Sequence, residues 1–242
     1  MVIEPIAKIH NGHKDKFGIP RQGGIASADV SYIVFEGQYR TPEALRGIEG
    51  YSHLWLLWHF SDVGAKRSFS PTVRPPRLGG NRRVGVFATR SPNRPNSIGM
   101  TCVRLDSVIE TEKYGHVLKV FGADIMSGTE IFDIKPYIPH FDALPDAAGG
   151  FSDGFRGYSL ERGNGFEKLE VIEDISDRET VISLLLSDPR PSYQNDVGRV
   201  YTMDYYKYKV SFRVEGDALS VLEISENDGG DDVYEYMRMR GR

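Results

Sequence analysis

The stretch that decides the fold is HLWLLWHF, His53–Phe60, an apolar run bounded by polar residues on both sides. It reads as a fully buried strand, with Trp55 and Trp58 expected in the core rather than as platforms for a stacked base. Upstream, DVSYIVFEG alternates Val30, Tyr32 and Val34, a strand signal. Between the two, Thr41-Pro42-Glu43 offers an N-cap, a proline at the first helical position and an early acid, so TPEALRG is expected to be one short helix. Downstream, strand-like segments recur at Val84–Ala88, Met100–Ile109, His116–Ile125 and Ile131–Ile134. Short strands separated by turns, with almost no helical periodicity, predict a mainly β chain whose first 145 residues close into a compact barrel.

A composition break follows. Residues 146–165 are rich in Gly, Asp and Ser and are expected to be a linker or long loop. Residues 166–242 then read as a small α+β domain. Ser176 or Asp177 caps a helix that ends before Asp188-Pro189. YKYKVSFRVEGDALSVLEI forms a hairpin around Gly216-Asp217, and a polar tail follows Ser225.

The chain of 242 residues is long enough to bury a sizeable core, and its 40% hydrophobic and 26% charged content is that of a globular protein. The single cysteine, Cys102, excludes an intrachain disulfide framework and a cysteine-built zinc site, which fits a reducing compartment. No apolar stretch reaches the length of a membrane helix, and the charged N-terminal stretch does not read as a signal peptide. A cytoplasmic protein without a membrane partner is expected. The six histidines are scattered, and His10 and His13 are expected to be solvated or capping side chains, with no metal site.

The net charge of −4 conceals an uneven distribution. Between Val63 and Leu105 stand nine basic residues, eight of them arginine, and no acid. The remainder of the chain carries 21 basic against 34 acidic residues. Either this segment meets a polyanion, or its charges pair with acidic neighbours after folding. The predominance of arginine, the better fork for phosphate, favours the first.

Several familiar chemistries are missing from the sequence. No glycine-rich turn sits between a strand and a helix as dinucleotide binding needs, and there is no phosphate loop, His-Glu-x-x-His or Gly-x-Ser-x-Gly. Three proline-stiffened polar clusters remain: Phe17–Gln22, Pro71–Arg83 running into VGVFATRSPNRPNSIGMT, and Asp124–Thr129 followed by Asp133–Pro139. Stiff loops lose less entropy on closing around a ligand, and Arg, Asn and Asp supply donor forks and acceptors. A polar small molecule held among barrel loops is expected.

These clusters carry a resemblance. SPTVRPPRLGGNRRVGVFATRSPNRPNSIGMT, together with FGIPRQ, RGIEGYSHLWLL, DIKPYIP and SDPRPSYQ in that order, resembles the TsaA/TrmO-like family of tRNA methyltransferases along nearly the whole chain. The resemblance implies a β-barrel that binds S-adenosyl-L-methionine without a Rossmann fold, a smaller C-terminal domain and a homodimer. It implies methyl transfer to the exocyclic nitrogen of threonylcarbamoyladenosine beside the tRNA anticodon. Carried over by motif, the cofactor would touch Pro20, Arg21, Gln22, Ser61, Asp62, Arg90, Met100, Asp124, Ile125, Met126 and Ser127. The chain departs from the family where it has Ser127-Gly128-Thr129-Glu130 in place of Asp-Gly-Thr-Pro, and Ser97 in place of a proline.

Methyl transfer is dominated by positioning, so few catalytic groups are expected. Asp188, Arg190 and Tyr193 are expected to face the substrate nucleotide, Tyr193 against the base and Arg190 on a phosphate or carboxylate. Arg74, Arg77, Arg82, Arg83 and Arg94 are expected on the tRNA backbone. Lys135 and Tyr137 are either substrate contacts or part of a stiff rim. Two other classes fit the same residues: an enzyme acting on another modified nucleoside or small molecule, and a cofactor-binding module with a regulatory output.

Overall fold

The computed structural model describes residues 2–60, 69–75, 78, 82–153, 159–190, 196, 198–227 and 230–240. Six strands close on one another: β1 (Ala7–Asn11), β2 (Val30–Phe35), β3 (His53–His59), β6 (Ile98–Thr111), β7 (Gly115–Phe121) and β8 (Glu130–Pro136), in the order β1-β2-β7-β6-β3-β8 around a closed barrel. Every pairing in the ring is antiparallel. Alternation puts one face of each strand inside. Leu54, Leu56 and Trp58 of β3 meet Val103 of β6, Leu118 and Val120 of β7 and Ile131 of β8. Each such side chain, once buried, contributes roughly 1.5–3 kcal/mol.

The same alternation corrects the reading of HLWLLWHF. The strand is buried on one face only, and Trp55 points outward, where its indole packs on Tyr137 at 5.8 Å between ring centroids and its Nε1 donates to Asp142. The short helix is present as α1 (Pro42–Leu45) behind Thr41. Val84–Ala88 is not a barrel strand. Two strands of two residues each, β4 (Thr72–Val73) and β5 (Val84–Gly85), pair with each other outside the ring, and Val86–Ala88 is a 3-10 turn. The polar sequence after Ala88 cannot share the inward and outward alternation of a barrel strand, so the chain re-enters the ring only at Ile98. A single turn, α2 (Pro139–Asp142), follows β8.

The second sheet has the order β10-β11-β12-β9, built from β10 (Tyr201–Tyr205), β11 (Tyr208–Glu215), β12 (Ala218–Glu226) and β9 (Glu161–Arg162). The β11–β12 hairpin turns at Gly216-Asp217 as expected. Helix α3 (Ile175–Leu186) lays Val181, Leu184 and Leu185 on the sheet, and Asp174 caps it by accepting from the Asp177 amide. Part of the expected linker is structural: Leu160 is buried and β9 pairs parallel to β12.

The two sheets exchange segments. Phe17 and Ala26, from the loop between β1 and β2, belong to the core of the second sheet. A β-carbon on Gly18 would lie 2.5 Å from Met203, and one on Gly12 would lie 2.7 Å from Tyr205, so these glycines let the loop meet β10. In return, the segment expected as a polar tail forms α4 (Asp232–Arg240), whose Tyr234 and Met237 bury against Val30, Tyr32, Val34 and Val117 on the outside of the barrel.

Candidate active site at one end of the barrel

The strand registers define two ends. The loop after β1, the loop before β6 and the loop after β7 all leave from the end where Asn11, Val30, Ile98 and Phe121 lie. These loops carry Arg21 and Gln22, Arg90, and Asp124 respectively, so three clusters far apart in sequence share one rim. Arg90 Nη1 donates to Gln22 Oε1 at 3.0 Å. Thr101 Oγ1 donates to Asp124 Oδ1 at 2.6 Å. Burial pushes the Asp124 carboxyl above its ordinary range. Hydrogen bonds from Thr101 and from the backbone of Asp124 and Gly23, with the nearby Arg90 charge, oppose that rise. Pro20 is buried beside this rim, which fixes the backbone leading into Arg21 and Gln22.

Arg21 reaches from the rim to the C-terminal unit. Its Nη2 donates to the carbonyl of Asp188 at 3.0 Å and also to that of Arg190, in the loop after α3. In that loop Asp188 holds Arg190 through a two-pronged ion pair, Nε to Oδ1 at 2.8 Å and Nη2 to Oδ2 at 2.9 Å. Asp188 accepts a left-handed backbone, φ 53°, to present this pair. The Asp188 hydrogen bond holds the Arg190 guanidinium firmly in its charged form. The expected substrate residues Asp188 and Arg190 are therefore tied to the expected cofactor loop through Arg21.

Other expected residues fall elsewhere. Ile125 is fully buried in the barrel core and its carbonyl accepts from Asn11 Nδ2 at 2.8 Å, so its side chain is a packing residue. Ser127 donates to Asp231 Oδ2 at 2.6 Å and accepts from the Asn11 amide, fastening the loop to the start of α4. Its neighbour Met126 is half-buried in the same loop. Met100 points out of the barrel on the opposite face of β6 from Thr101 and is 48% exposed. Arg94 folds back on its own loop, donating to the Thr89 and Ser91 carbonyls. Arg74 and Arg82 are exposed, and the exposed Arg83 donates to Thr72 Oγ1. Lys135 pairs with Asp133 at 2.7 Å. Tyr137 hydrogen-bonds through its amide to His53, which places it at the far end of the barrel from Asp124. Ser61, Asp62, Arg77 and Tyr193 lie outside the described residues.

A second polar network lies behind the rim, where the barrel, the second sheet and α4 meet. His13 Nε2 and Asp29 Oδ2 are 2.7 Å apart with both side chains essentially fully buried, and Tyr205 donates to Asp29 Oδ1 at 2.9 Å. Arg238 Nη1 donates to the Tyr234 oxygen at 3.3 Å. Arg238 also bridges Asp177 at 2.6 Å and Asp174 at 2.7 Å. Burial pushes Asp177 up to about 6 against the pull of Arg238. At the other end of α4, Asp231 caps the helix by accepting from the Val233 and Tyr234 amides and binds His10 Nδ1 at 2.8 Å. Burial alone would raise the Asp231 carboxyl, but the hydrogen bonds from His10 and Ser127 outweigh it and bring it down to about 2. None of this network was expected from the sequence, and His13 is the reverse of a solvated side chain. Thr101 was missed as well. The available signal was a polar residue between Gly99 and Val103 on the inward face of β6.

The family models settle the classification. The model for the tRNA-methyltransferase O N-terminal domain matches residues 8–143, and the model for the TrmO C-terminal domain matches residues 167–227. The chain belongs to the TrmO family. An Escherichia coli relative named tRNA (adenine(37)-N6)-methyltransferase is 35% identical over 228 residues, which cover 91% of this chain and 96% of the relative. A Pseudomonas aeruginosa relative whose name includes S-adenosylmethionine-dependent methyltransferase is 36% identical over 233 residues, 93% of this chain and 98% of the relative. The crystal structure of TrmO from P. aeruginosa superposes with a TM-score of 0.73 at 30% identity, covering 94% of this chain and 97% of that one. The two family models match the barrel and the C-terminal unit in turn.

Proposed function

We propose that the chain is an S-adenosyl-L-methionine-dependent methyltransferase acting on adenosine 37 of tRNA, at the exocyclic nitrogen of a threonylcarbamoyl-modified base. The observation that carries the reading is the gathering of Gln22, Arg90 and Asp124 on one rim, with Arg21 docking the Asp188–Arg190 pair beside them. The donor set suits the cofactor: Asp124 accepts from hydroxyl or ammonium groups, and Gln22 and Arg90 offer donors and charge. When bound, S-adenosyl-L-methionine supplies a methyl group whose carbon–sulfur bond breaks as the carbon–nitrogen bond forms, the nitrogen giving up its proton to solvent. The protein's own contribution is positional. Arg190, braced by Asp188, offers the end of its guanidinium to the threonylcarbamoyl carboxylate or a phosphate. Exposed Arg74, Arg82 and Arg83 meet the tRNA backbone.

The outer face of β6, where Ile98 and Met100 are exposed, is the proposed contact of a homodimer, which would bring Met100 of one subunit against the rim loops of the other. The proposed setting is the cytoplasm, where tRNA is modified. The test is a reaction of the purified protein with S-adenosyl-L-methionine and tRNA bearing threonylcarbamoyladenosine, digested to nucleosides and read by mass spectrometry. The reading predicts a gain of one methyl on that nucleoside. A methyl on unmodified adenosine alone would shift the substrate, and no methyl on any nucleoside would end the reading.

A further inference from the structure

The inward face of β6 carries one polar side chain at the rim, Thr101, and its hydrogen bonds have a fixed direction. Trp58 Nε1 can only donate, and it donates to Thr101 Oγ1 at 3.0 Å inside the barrel. The hydroxyl proton of Thr101 is thereby directed at Asp124 Oδ1, 2.6 Å away. Two glycines leave the space for this relay. A β-carbon on Gly99 would collide with the Trp58 indole, and one on Gly23 would lie 2.8 Å from Thr101 Cγ2. Phe60 closes the other side of the indole, with ring centroids 4.2 Å apart. The relay is thus packed into one arrangement, and it ends on a carboxylate that burial pushes toward its neutral form, against the hydrogen bond from Thr101.

We propose that Thr101, oriented by Trp58, is a positioning residue that aims the Asp124 carboxyl and favours its ionised form, so that its remaining acceptor capacity faces the cofactor. This rests on the reading of the rim as the S-adenosyl-L-methionine site. Thr101 touches no cofactor atom in this account and acts only through Asp124. The charged group facing Asp124 from the neighbouring loop is Arg90, which favours the same ionised form in every variant below.

The test uses the full-length protein and two readouts. In calorimetric titration with S-adenosyl-L-methionine, Thr101→Val should weaken binding roughly ten-fold, and Thr101→Ser, which keeps the hydroxyl, should return to within about three-fold of wild type. In the free protein, the carboxyl carbon resonance of Asp124, assigned by its loss in Asp124→Asn, should titrate at higher pH in Thr101→Val than in wild type and return in Thr101→Ser. Should Thr101→Val fail to fold, Trp58→Phe removes the orienting donor while keeping an aromatic ring, and it should move both readouts in the same direction by a smaller amount. Thr101→Val matching wild type in both readouts overturns the proposal, as does Thr101→Ser being as impaired as Thr101→Val. A wild-type protein that does not bind the cofactor would end the functional reading, while the Asp124 titration would still decide the relay.

Discussion

Two polar networks lie a short distance apart in this molecule and obey opposite rules. The rim network, Trp58–Thr101–Asp124 with Arg90 and Gln22, is anchored in the barrel and ends at groups that reach the surface, Arg90 exposed and Gln22 and Asp124 half-buried. The interface network, His13–Asp29–Tyr205 together with Tyr234–Arg238 and its acids Asp174 and Asp177, is paired within the protein. Its charges meet partners from every segment that packs there: the loop between β1 and β2, β10, α3 and α4. The first suits binding and the second suits assembly. A buried ion-pair network contributes little over an apolar core of the same shape, but it becomes costly when one member is removed. The interface network therefore locks the barrel to the second sheet and α4 in one arrangement, and that arrangement is what places Arg21 under the Asp188–Arg190 pair.

The comparison breaks most visibly at Arg238. Replacing it with alanine strands Asp174 and Asp177 without their shared cation, and should cost about 3–5 kcal/mol of stability in denaturant unfolding. The folded fraction should still bind S-adenosyl-L-methionine within about two-fold of wild type. A large loss of affinity with unchanged stability would mean the two networks had been assigned the wrong way round. Arg21 sits between them. Arg21→Ala should lower kcat/KM for tRNA by roughly ten-fold while leaving the dissociation constant of S-adenosyl-L-methionine within about three-fold, because its Nη2 holds the C-terminal loop. Cofactor binding that collapses in Arg21→Ala would instead make it a direct ligand.

Asp231 gives the smallest effect, and its sign is fixed by its shift. Its folded value of about 2 lies below the ordinary 3.8. The stabilisation is therefore complete above about pH 4 and lost as the pH falls toward 2. Asp231→Asn keeps an N-cap side chain but has no charge to lose. It should be less stable than wild type at neutral pH by at most about 2 kcal/mol, and the gap should close on acidification from pH 4 to pH 2. A gap that stays constant over that window would remove the His10 and Ser127 bonds from the account.

The strand content and the rim were legible because both leave local marks. Alternation in β11 and the Gly216-Asp217 turn are short-range patterns, and the rim residues sit in proline-stiffened motifs. β2 reads as a strand but is buried on both faces, Ile33 and Phe35 in the barrel and Val30, Tyr32 and Val34 under α4. The buried interface left no such mark. His13, Asp29, Tyr205 and Arg238 lie far apart in the chain and look like ordinary surface residues, and only the exchange of Phe17 and Tyr234 between units brings them together. For the same reason α4 reads as a polar tail: its Tyr234 and Met237 form a narrow stripe among charges. Trp55 misled because an apolar run does not reveal that one of its faces lies outside the ring. Ile125 misled because a motif gives chain position and not the direction of a side chain.

The claim that joins these observations is that the rim around Asp124 is the cofactor site and that the interface behind it is not. Calorimetric titration of S-adenosyl-L-methionine into Asp124→Asn tests it most directly. The account predicts that wild type binds and that Asp124→Asn, still folded, binds about 10- to 100-fold more weakly, the loss of a charged acceptor. Equal affinity in the two proteins would contradict it.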